Sequence, residues 1–416
     1  MNEQASIPPA NELIERVDPW AARAAIATAV VRTPTIDCDE IGQAVGGVVA
    51  LKAECLQRTG SFKLRGALNK VSALGERAAA GLITASAGNH GRAVAQAARL
   101  RGVECDVFMP RDAAVSKVAA VERLGARAHL GGGSVEDAVE LALERAAETG
   151  AAFVHPFDDL DVIAGQGTLG VELLEDVEDL ARVIVPVGGG GLASGVGVAL
   201  RRARPEVEII GVQARACAPV AAALASPGSA TDVEAPAGFT IADGIALKRP
   251  GTLTLPLLRE LLTGVETVAE DEIADAMVFL ADRAKLVAEG AGAVSVAALL
   301  SGRVSPAPSG RTVAIVSGGN VDSGLLAGLL RRRETEEGRR VRIFTRVPDR
   351  PGGLAELLGL VADARANLVS LEHVREAVSL RVRETGVELT LETRGRGHTK
   401  EVVQALEGAG YEVVVE

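Results

Sequence analysis

Strand-like and helix-like segments alternate along residues 48–320, and this alternation constrains the fold more than any other feature of the chain. Short runs rich in β-branched residues predict six strands, at residues 48–54, 82–86, 105–109, 182–187, 208–213 and 312–317. Amphipathic spacing between them predicts helices, at residues 64–74, 92–100, 135–148, 192–203 and 271–284. Because such alternation builds parallel sheets with helices on both faces, we expect an α/β fold here.

The pattern changes after residue 330. A charged run without apolar periodicity, residues 331–340, indicates a linker between two domains. Beyond it, the hydrophobic pattern predicts four strands and two helices, in the order strand 341–347, helix 354–364, strands 368–374 and 387–393, helix 399–406 and strand 411–415. This βαββαβ order is that of a ferredoxin-like sandwich. We therefore expect one domain at residues 1–330 and a second at residues 341–416.

The composition argues against several classes of partner and site. The 44 basic and 55 acidic residues give a net charge of −11, which disfavours nucleic acid and anionic membrane surfaces. No apolar run approaches the length of a membrane span, and the first residues lack a secretory pattern. The four cysteines show no CxxC spacing, so neither a zinc site nor a disulfide framework is indicated. We expect a cytoplasmic protein without a bound metal.

One of the few lysines, Lys63, lies in a distinctive run, Thr-Gly-Ser-Phe-Lys-Leu-Arg-Gly-Ala at residues 59–67. A lysine held among apolar neighbours can lose its proton and act as a Schiff-base nucleophile. Lysines are more often solvated surface charges, and the sequence up to this point leaves both interpretations open.

Four consecutive glycines, residues 188–191, and Leu192 follow the predicted strand 182–187 directly and open the next helix. Glycines let backbone amides approach an anion, and a helix amino terminus favours negative charge, so we expect a phosphate site. A dinucleotide is disfavoured, because the following strand ends in Gln213 where an acidic residue would bind the ribose. A glycine turn used only for close packing is the remaining alternative.

Two further motifs follow predicted strands: Ser-Ala-Gly-Asn-His-Gly at residues 86–91 and Ser-Gly-Gly-Asn at residues 317–320. Ligands of α/β sheets bind at the carboxyl ends of the strands. The serine, the asparagine amide and the helix-start amides of the first motif suit a small carboxylate or a ring oxygen. His90 is either a base or a structural histidine, and the second motif could be an ordinary loop.

Taken in this order, the motifs resemble those of the pyridoxal-phosphate (PLP) enzymes of the tryptophan-synthase-β family, especially its threonine dehydratase (threonine ammonia-lyase) branch. The runs at residues 164–168, 242–245 and 289–293 add to the resemblance, which spans roughly residues 20–325. The last segment, with Asp-Arg-Pro-Gly-Gly at 349–353, resembles a single ACT domain, a regulatory amino-acid sensor. The resemblance implies PLP fold type II, with two parallel-sheet α/β lobes, followed by the ACT domain.

The resemblance also implies roles for individual residues. Lys63 would bind PLP as a Schiff base and later remove the Cα proton of the substrate. Phe62 would pack beside the ring, Asn89 would bind the ring hydroxyl and Ser317 the pyridine nitrogen. The phosphate would be bound by the amides of Gly188, Gly189, Gly190, Gly191 and Leu192. The substrate site would consist of Ser86, Asn89, His90 and Gly244.

The implied reaction is dehydration and deamination of L-threonine to 2-oxobutanoate and ammonia, as in isoleucine biosynthesis, with L-serine as a poorer substrate. Serine racemases of this fold carry a second serine where this chain has Ala87, and a carboxylate metal site where it has Gln213 and Cys217. Both differences argue against racemisation. Leu247, where a racemase has serine, would form an apolar wall that favours the methyl group of threonine.

The ACT resemblance implies an effector amino acid, expected to be isoleucine, bound near Gly352, Gly353 and Leu354 in a homo-oligomer, a dimer or a tetramer. A domain that only dimerises is the alternative. Other functions left open are serine dehydratase or racemase, β-replacement synthase and a non-catalytic amino-acid sensor. Glu289 could lie near the cofactor ring or could simply be a helix-start carboxylate.

Overall fold

The chain forms two compact units in the computed structural model, one ending at Asp322 and one beginning at Ser323. The structure describes residues 7–86, 88–225, 238–375 and 383–415. Ala87, the position that distinguishes the chain from racemases, lies outside these residues. None of the helices in these ranges combines the length and the apolarity that crossing a bilayer requires.

The first unit is built from two sheets and the helices around them. Its helices are α1 Ala10–Arg16, α2 Pro19–Ile26, α3 Asp39–Val45, α4 Lys63–Leu74, α5 Asn89–Arg101, α6 Val115–Glu122, α7 Val135–Thr149, α8 Leu160–Asp176, α9 Gly191–Ala203, α10 Pro219–Ala225, α11 Thr254–Leu261, α12 Glu270–Phe279 and α13 Gly290–Leu300. Its strands are β1 Thr35–Asp37, β2 Val48–Ala53, β3 Leu82–Ala85, β4 Cys105–Met109, β5 Arg127–Leu130, β6 Ala152–Phe153, β7 Leu180–Pro186, β8 Glu208–Ala214, β9 Gly264–Val268 and β10 Arg311–Val316.

The larger sheet has six strands in the order β1-β2-β10-β7-β8-β9, and the smaller has four in the order β5-β4-β3-β6. All neighbours run parallel except β1, which pairs antiparallel with β2. The predicted α/β fold is therefore confirmed, and each of the six predicted strands is present. The helix predicted at 271–284 is α-helical up to Phe279 and continues as a π-helix at Leu280–Ala284.

The second unit has the predicted βαββαβ order. After helix α14 Ser323–Glu336, its elements are β11 Arg340–Pro348, α15 Gly353–Asp363, β12 Asn367–Val374, β13 Glu384–Glu392, α16 Arg396–Gly408 and β14 Val414–Val415. The sheet is antiparallel, in the order β12-β13-β11-β14. The charged run interpreted as a linker is helical up to Glu336, because the pairs Arg332–Glu336 and Arg333–Glu337, four residues apart, support the last turns of α14.

Helices α8 and α9 approach each other closely because both carry glycines at their contact. A Cβ atom added to Gly167 would lie 2.7 Å from the carbonyl oxygen of Gly195, and one added to Gly170 would lie 2.8 Å from Ala199. Such distances exclude larger side chains. With only seven Phe, one Trp and one Tyr in the chain, close backbone contact replaces large side chains in this core.

A fully buried cluster of charges ties helix α4 to its surroundings. The Arg65 guanidinium donates to both carboxylate oxygens of Glu54 (2.9 and 2.8 Å) and of Glu172 (2.7 and 2.9 Å). Lys52 adds an ion pair to Glu172 at 2.8 Å. Burial acts to raise the pKa of Glu54, but Arg65 overcomes this and the pKa is lowered. The cluster thus joins β2, α4 and α8 through ionised groups.

We expect Arg65→Met to lower the free energy of unfolding by about 3–5 kcal/mol, because it leaves two buried carboxylates without their common cation. Arg201→Met is the matched control: it breaks an exposed pair with Glu260 and should cost at most about 1 kcal/mol. Urea denaturation of both variants measures the difference. Equal stability of the two variants would contradict this account of the cluster.

Candidate active site

The residues predicted to bind a cofactor line one cavity at the carboxyl end of the six-stranded sheet. Every one of them contributes to its wall: Phe62, Lys63, Asn89, Gly188, Gly189, Gly190, Gly191, Leu192 and Ser317. The position follows from topology, because parallel strands bring the loops after β7 and β10 to the same edge. Residues as distant in the chain as Phe62 and Ser317 are thereby brought together, as the order of the motifs suggested.

Lys63 is the first residue of α4, and its side chain points into this cavity. Its Nζ donates to the carbonyl oxygen of Pro156 at 2.8 Å and lies 5.3 Å from the centre of the Phe62 ring. Burial lowers the pKa of Lys63 to about 8, although the nearby Glu289 acts in the opposite direction. A substantial fraction of the amine is therefore neutral near physiological pH, as a nucleophile or base requires.

The glycine loop forms a cradle at the amino terminus of α9. Gly190 adopts a left-handed conformation, with φ of 95°, and α9 begins at Gly191. The loop is held in place by Thr254, whose Oγ1 donates to the carbonyl oxygen of Gly189 at 2.5 Å. A Cβ atom on Gly189 would lie 2.4 Å from the ring of Phe157, so no side chain fits there. The first-turn amides of α9 have no acceptor within the helix and lie in the wall of the cavity, so they suit a phosphate group.

Ser317 and Ala291 also line this cavity. Ser317 follows β10 directly and is 3 % exposed. Its hydroxyl donates to the carbonyl oxygen of Ala291 over a long 3.4 Å. A hydroxyl with so weak a bond is able to reorient toward a heterocyclic nitrogen in the cavity.

The residues predicted to bind substrate line an adjoining cavity of about 350 Å³ that shares Lys63 and Asn89 with the first. Ser86, Asn89, His90 and Gly244 all lie in its wall. Helix α5 begins at Asn89, so its first amides have no acceptor within the helix. The Ser86 hydroxyl accepts from Gly88 N at 3.1 Å and so shapes the turn before the helix. This arrangement suits a carboxylate.

The ring of His90 has a structural role. Its Nε2 lies 3.0 Å from the carbonyl oxygen of Val154, the residue after β6, and burial together with Lys63 lowers its pKa to about 3. The imidazole is therefore neutral at physiological pH and is occupied with a main-chain carbonyl group. Its Nδ1 has no hydrogen-bond partner among the described residues, and its main-chain N–H lies in the first turn of α5.

Glu289, whose role the sequence left open, lies in the wall of both cavities. It precedes α13, but its side chain makes no capping hydrogen bond to that helix. Instead its Oε1 accepts from Asn89 Nδ2 at 2.5 Å. Burial raises the pKa of Glu289 to about 7, against the hydrogen bond from Asn89, which lowers it. The carboxyl group thus lines the cavities and does not cap α13.

Several lining residues were not predicted from the sequence. Phe157 contacts the glycine loop from the segment after β6, and Arg92, Lys117 and Asn320 line the substrate cavity. Lys117 also forms an ion pair with Asp243 at 2.6 Å. The position of Phe157 just after a strand in an α/β fold, in a chain with few aromatic residues, is the signal that could have identified it.

The positions used to argue against racemisation have other partners. Gln213 Nε2 donates to Val187 O at 3.1 Å, and its Oε1 accepts from Ala221 N at 2.9 Å. Cys217 Sγ donates to the carbonyl oxygen of Leu247 at 2.8 Å. Leu247 lines both cavities, where it was predicted to contact substrate.

The residues predicted to bind an effector lie in the second unit. Gly352 precedes α15 with φ of 93°, and Gly353 begins that helix. A cavity of about 330 Å³ in this unit is lined by Leu354 but not by the two glycines; its polar lining residues are Asp349, Arg350, His373, Arg375 and Thr385.

Comparison with known proteins agrees with this geometry. Residues 26–318 match the family described as pyridoxal-phosphate dependent enzyme, and residues 341–410 match the ACT domain. An L-threonine ammonia-lyase of Thermotoga maritima is 45 % identical over 394 residues, which are 94 % of this chain and 97 % of that protein.

Solved structures of the same fold include a maize serine racemase (TM-score 0.71, 35 % identity, 80 % of this chain and all of that one). Another is the processed form of threonine deaminase isoform 2 from Solanum lycopersicum (TM-score 0.70, 32 % identity, 78 % of this chain and 95 % of that one). The chain therefore belongs to the threonine ammonia-lyase family of pyridoxal-phosphate-dependent lyases, with an ACT domain after the enzyme domain.

Proposed function

We propose that this chain deaminates L-threonine to 2-oxobutanoate and ammonia, and L-serine more slowly. The observation that carries the proposal is the meeting of three features in one place: the buried Lys63 amine, the glycine cradle and the amino terminus of α5. They supply a nucleophile, a phosphate site and a carboxylate site, and an α-amino acid bound to PLP needs all three.

The residues present fit PLP. Lys63 would hold it covalently, residues 188–192 its phosphate, Asn89 its ring hydroxyl and Ser317 its ring nitrogen, with Phe62 beside the ring. When bound, PLP withdraws electrons from the Cα atom of the amino acid and so acidifies the hydrogen there. A serine hydroxyl, unlike a carboxylate, does not hold the ring nitrogen protonated, which suits β-elimination better than transamination.

The chain's own groups then position the substrate and move its proton. The first amides of α5 and the Ser86 hydroxyl hold the substrate carboxylate. The Lys63 amine, whose pKa is lowered to about 8 by burial, takes the Cα proton. The β-hydroxyl group leaves with a proton as water, and addition of water to the resulting imine releases 2-oxobutanoate and ammonia. Leu247, in the wall of the cavity, contacts the methyl group of threonine and favours it over serine.

Regulation is assigned to residues 341–416, and catalysis to residues 1–330. We infer that isoleucine is the effector and that its carboxylate binds at the start of α15, near Gly352, Gly353 and Leu354. The cavity beside Leu354 is large enough for a small amino acid, whose carboxylate suits Arg350 and Arg375 and whose ammonium group suits Asp349. An effector site shared between neighbouring ACT domains requires a homo-oligomer.

Serine racemisation is the second candidate, favoured by the structural similarity to the maize enzyme. It needs an acid on the ring face opposite to Lys63. β-Replacement is a third possibility within the family. Analysis of the reaction products distinguishes racemisation and β-replacement from deamination.

We expect Lys63→Ala to abolish both the visible absorbance of bound PLP and the release of keto acid. Alanine can neither form a Schiff base with PLP nor take the Cα proton of the substrate. Lys400→Ala, which removes an exposed lysine from α16, serves as the control and should keep both. Absorbance scanning and a keto-acid assay measure the two properties. Turnover by Lys63→Ala would contradict the assignment.

The rate at which cofactor-free enzyme captures PLP should rise with pH and level off, with a midpoint near 8. Only the neutral amine attacks the aldehyde, and burial lowers the pKa of Lys63 to about 8. Stopped-flow absorbance gives the rate, and N-acetyl-lysine amide run in parallel corrects for ionisation of PLP itself. A midpoint near 10.4, about the value of an ordinary lysine, would contradict the lowered pKa.

Keto-acid release from L-threonine should exceed that from L-serine by about 10–200-fold in kcat/KM, since one methyl group in an apolar pocket contributes that much. Isoleucine should suppress the threonine reaction. Leu247→Ala is the matched variant. It should lower kcat/KM for threonine and so reduce the threonine-to-serine ratio of kcat/KM. No turnover of either substrate would contradict the proposed function; turnover indifferent to isoleucine would contradict only the effector.

A further inference from the structure

Four side chains form a continuous hydrogen-bonded chain across the substrate cavity. Arg92 donates to Asn320 Oδ1, Asn320 Nδ2 donates to Asn89 Oδ1 at 2.7 Å, and Asn89 Nδ2 donates to Glu289 Oε1 at 2.5 Å. All four residues line the cavity of about 350 Å³. We call this series, Arg92–Asn320–Asn89–Glu289, the amide relay.

The direction of the amide relay is fixed at its outer end. A guanidinium group has only donors, so Asn320 must turn its oxygen toward Arg92 and its NH₂ group away from it. That NH₂ group also donates to the carbonyl oxygen of Thr59 at 2.8 Å. Asn89 must then turn its oxygen toward Asn320, which leaves its own NH₂ group facing Glu289 and the cofactor cavity. The side-chain amides of Asn320 and Asn89 are therefore each fixed in one of their two possible orientations.

The surroundings of the amide relay leave its side chains little room. A Cβ atom on Gly60 would lie 2.5 Å from Asn320 Oδ1, and one on Gly318 would collide with Glu289 Oε1. Both glycines belong to motifs that the sequence singled out, at residues 59–67 and 317–320. Their missing side chains therefore make space for the relay.

Arg92 is unlike the other arginines of its helix. It is half-buried, whereas Arg99 on the same helix is exposed. Within the described residues, the hydrogen-bond acceptor found for its side chain is the neutral amide of Asn320 rather than a carboxylate. Burial and Arg123 lower its pKa, but an arginine stays protonated in proteins. Keeping a cation partly out of water beside a neutral partner costs free energy.

We propose that Arg92 is a positioning residue that, through Asn320, holds Asn89 with its NH₂ group toward the cofactor ring. One N–H of Asn89 goes to Glu289, and the second is then free to donate to the ring oxygen. In the flipped orientation, the Asn89 oxygen would face the anionic ring oxygen, and two acceptors would meet there without a donor. The inference rests on the proposed role of Asn89 at the ring hydroxyl.

The test compares Arg92→Met with Arg92→Lys in the PLP-loaded enzyme. A donor to the ring oxygen stabilises its anionic form, which absorbs in the visible, over the neutral form, which absorbs in the near ultraviolet. Arg92→Met should therefore lower the visible-to-ultraviolet ratio of the bound cofactor and raise the Kd of PLP about tenfold, as expected for loss of one hydrogen bond to a charged group. Arg92→Lys keeps a donor-only cation and should restore both values to within about threefold of the wild type.

Four further variants make the outcome decisive. Asn320→Ala should reproduce the spectrum of Arg92→Met, and the Arg92→Met/Asn320→Ala double variant should show no additional change. If Arg92→Met does not fold, Asn320→Ala alone tests the inference. Arg99→Met controls for loss of an arginine from α5 and should leave the spectrum unchanged. An altered spectrum in Asn89→Ala with a wild-type spectrum in Arg92→Met would overturn the inference. An unchanged spectrum in Asn89→Ala would instead remove the proposed role of Asn89.

Discussion

A guanidinium group with no access to water is the constraint on which the enzyme unit depends. Arg65 lies two residues after Lys63 in the same helix, and its bidentate bonds to Glu54 and Glu172 tie that helix to the end of β2 and to α8. The position of the Lys63 amine is thus set by an ion cluster as well as by apolar packing. Since an ion pair out of water is stable only in good geometry, the cluster tolerates little displacement of α4.

Burial has the same effect on three different groups around the cavity. It lowers the pKa values of Lys63 and His90 and raises that of Glu289, so that each group is driven toward its neutral form. The amine gains a free electron pair, the imidazole loses its use as an acid, and the carboxyl group holds a proton over part of the physiological range. One desolvated space therefore gives three side chains distinct chemical characters.

Much of the fold and of the site could be predicted from the sequence, because both depend on local signals. Strands such as Cys105–Met109 and the glycine turn before α9 follow from periodicity and residue type. The partners of Arg65, the contact of Phe157 with the glycine loop and the amide relay could not be predicted. They join residues far apart in the chain, such as Asn89 and Glu289, and a single sequence does not state which distant side chains meet. The helical end of the charged run at 331–336 was missed because ion pairs four residues apart replace apolar periodicity there.

The glycine contact between α8 and α9 also limits which amino-acid substitutions this protein can accept during evolution. Glycine and alanine lose no side-chain entropy on folding, so a core made from them is ordered at little cost in side-chain freedom. The same contact has no slack: with Gly167 lying against the carbonyl oxygen of Gly195, neither position accepts even one additional methyl group. New specificity in such a protein has to arise at cavity-lining positions such as Leu247, where a change of volume meets open space instead of another backbone.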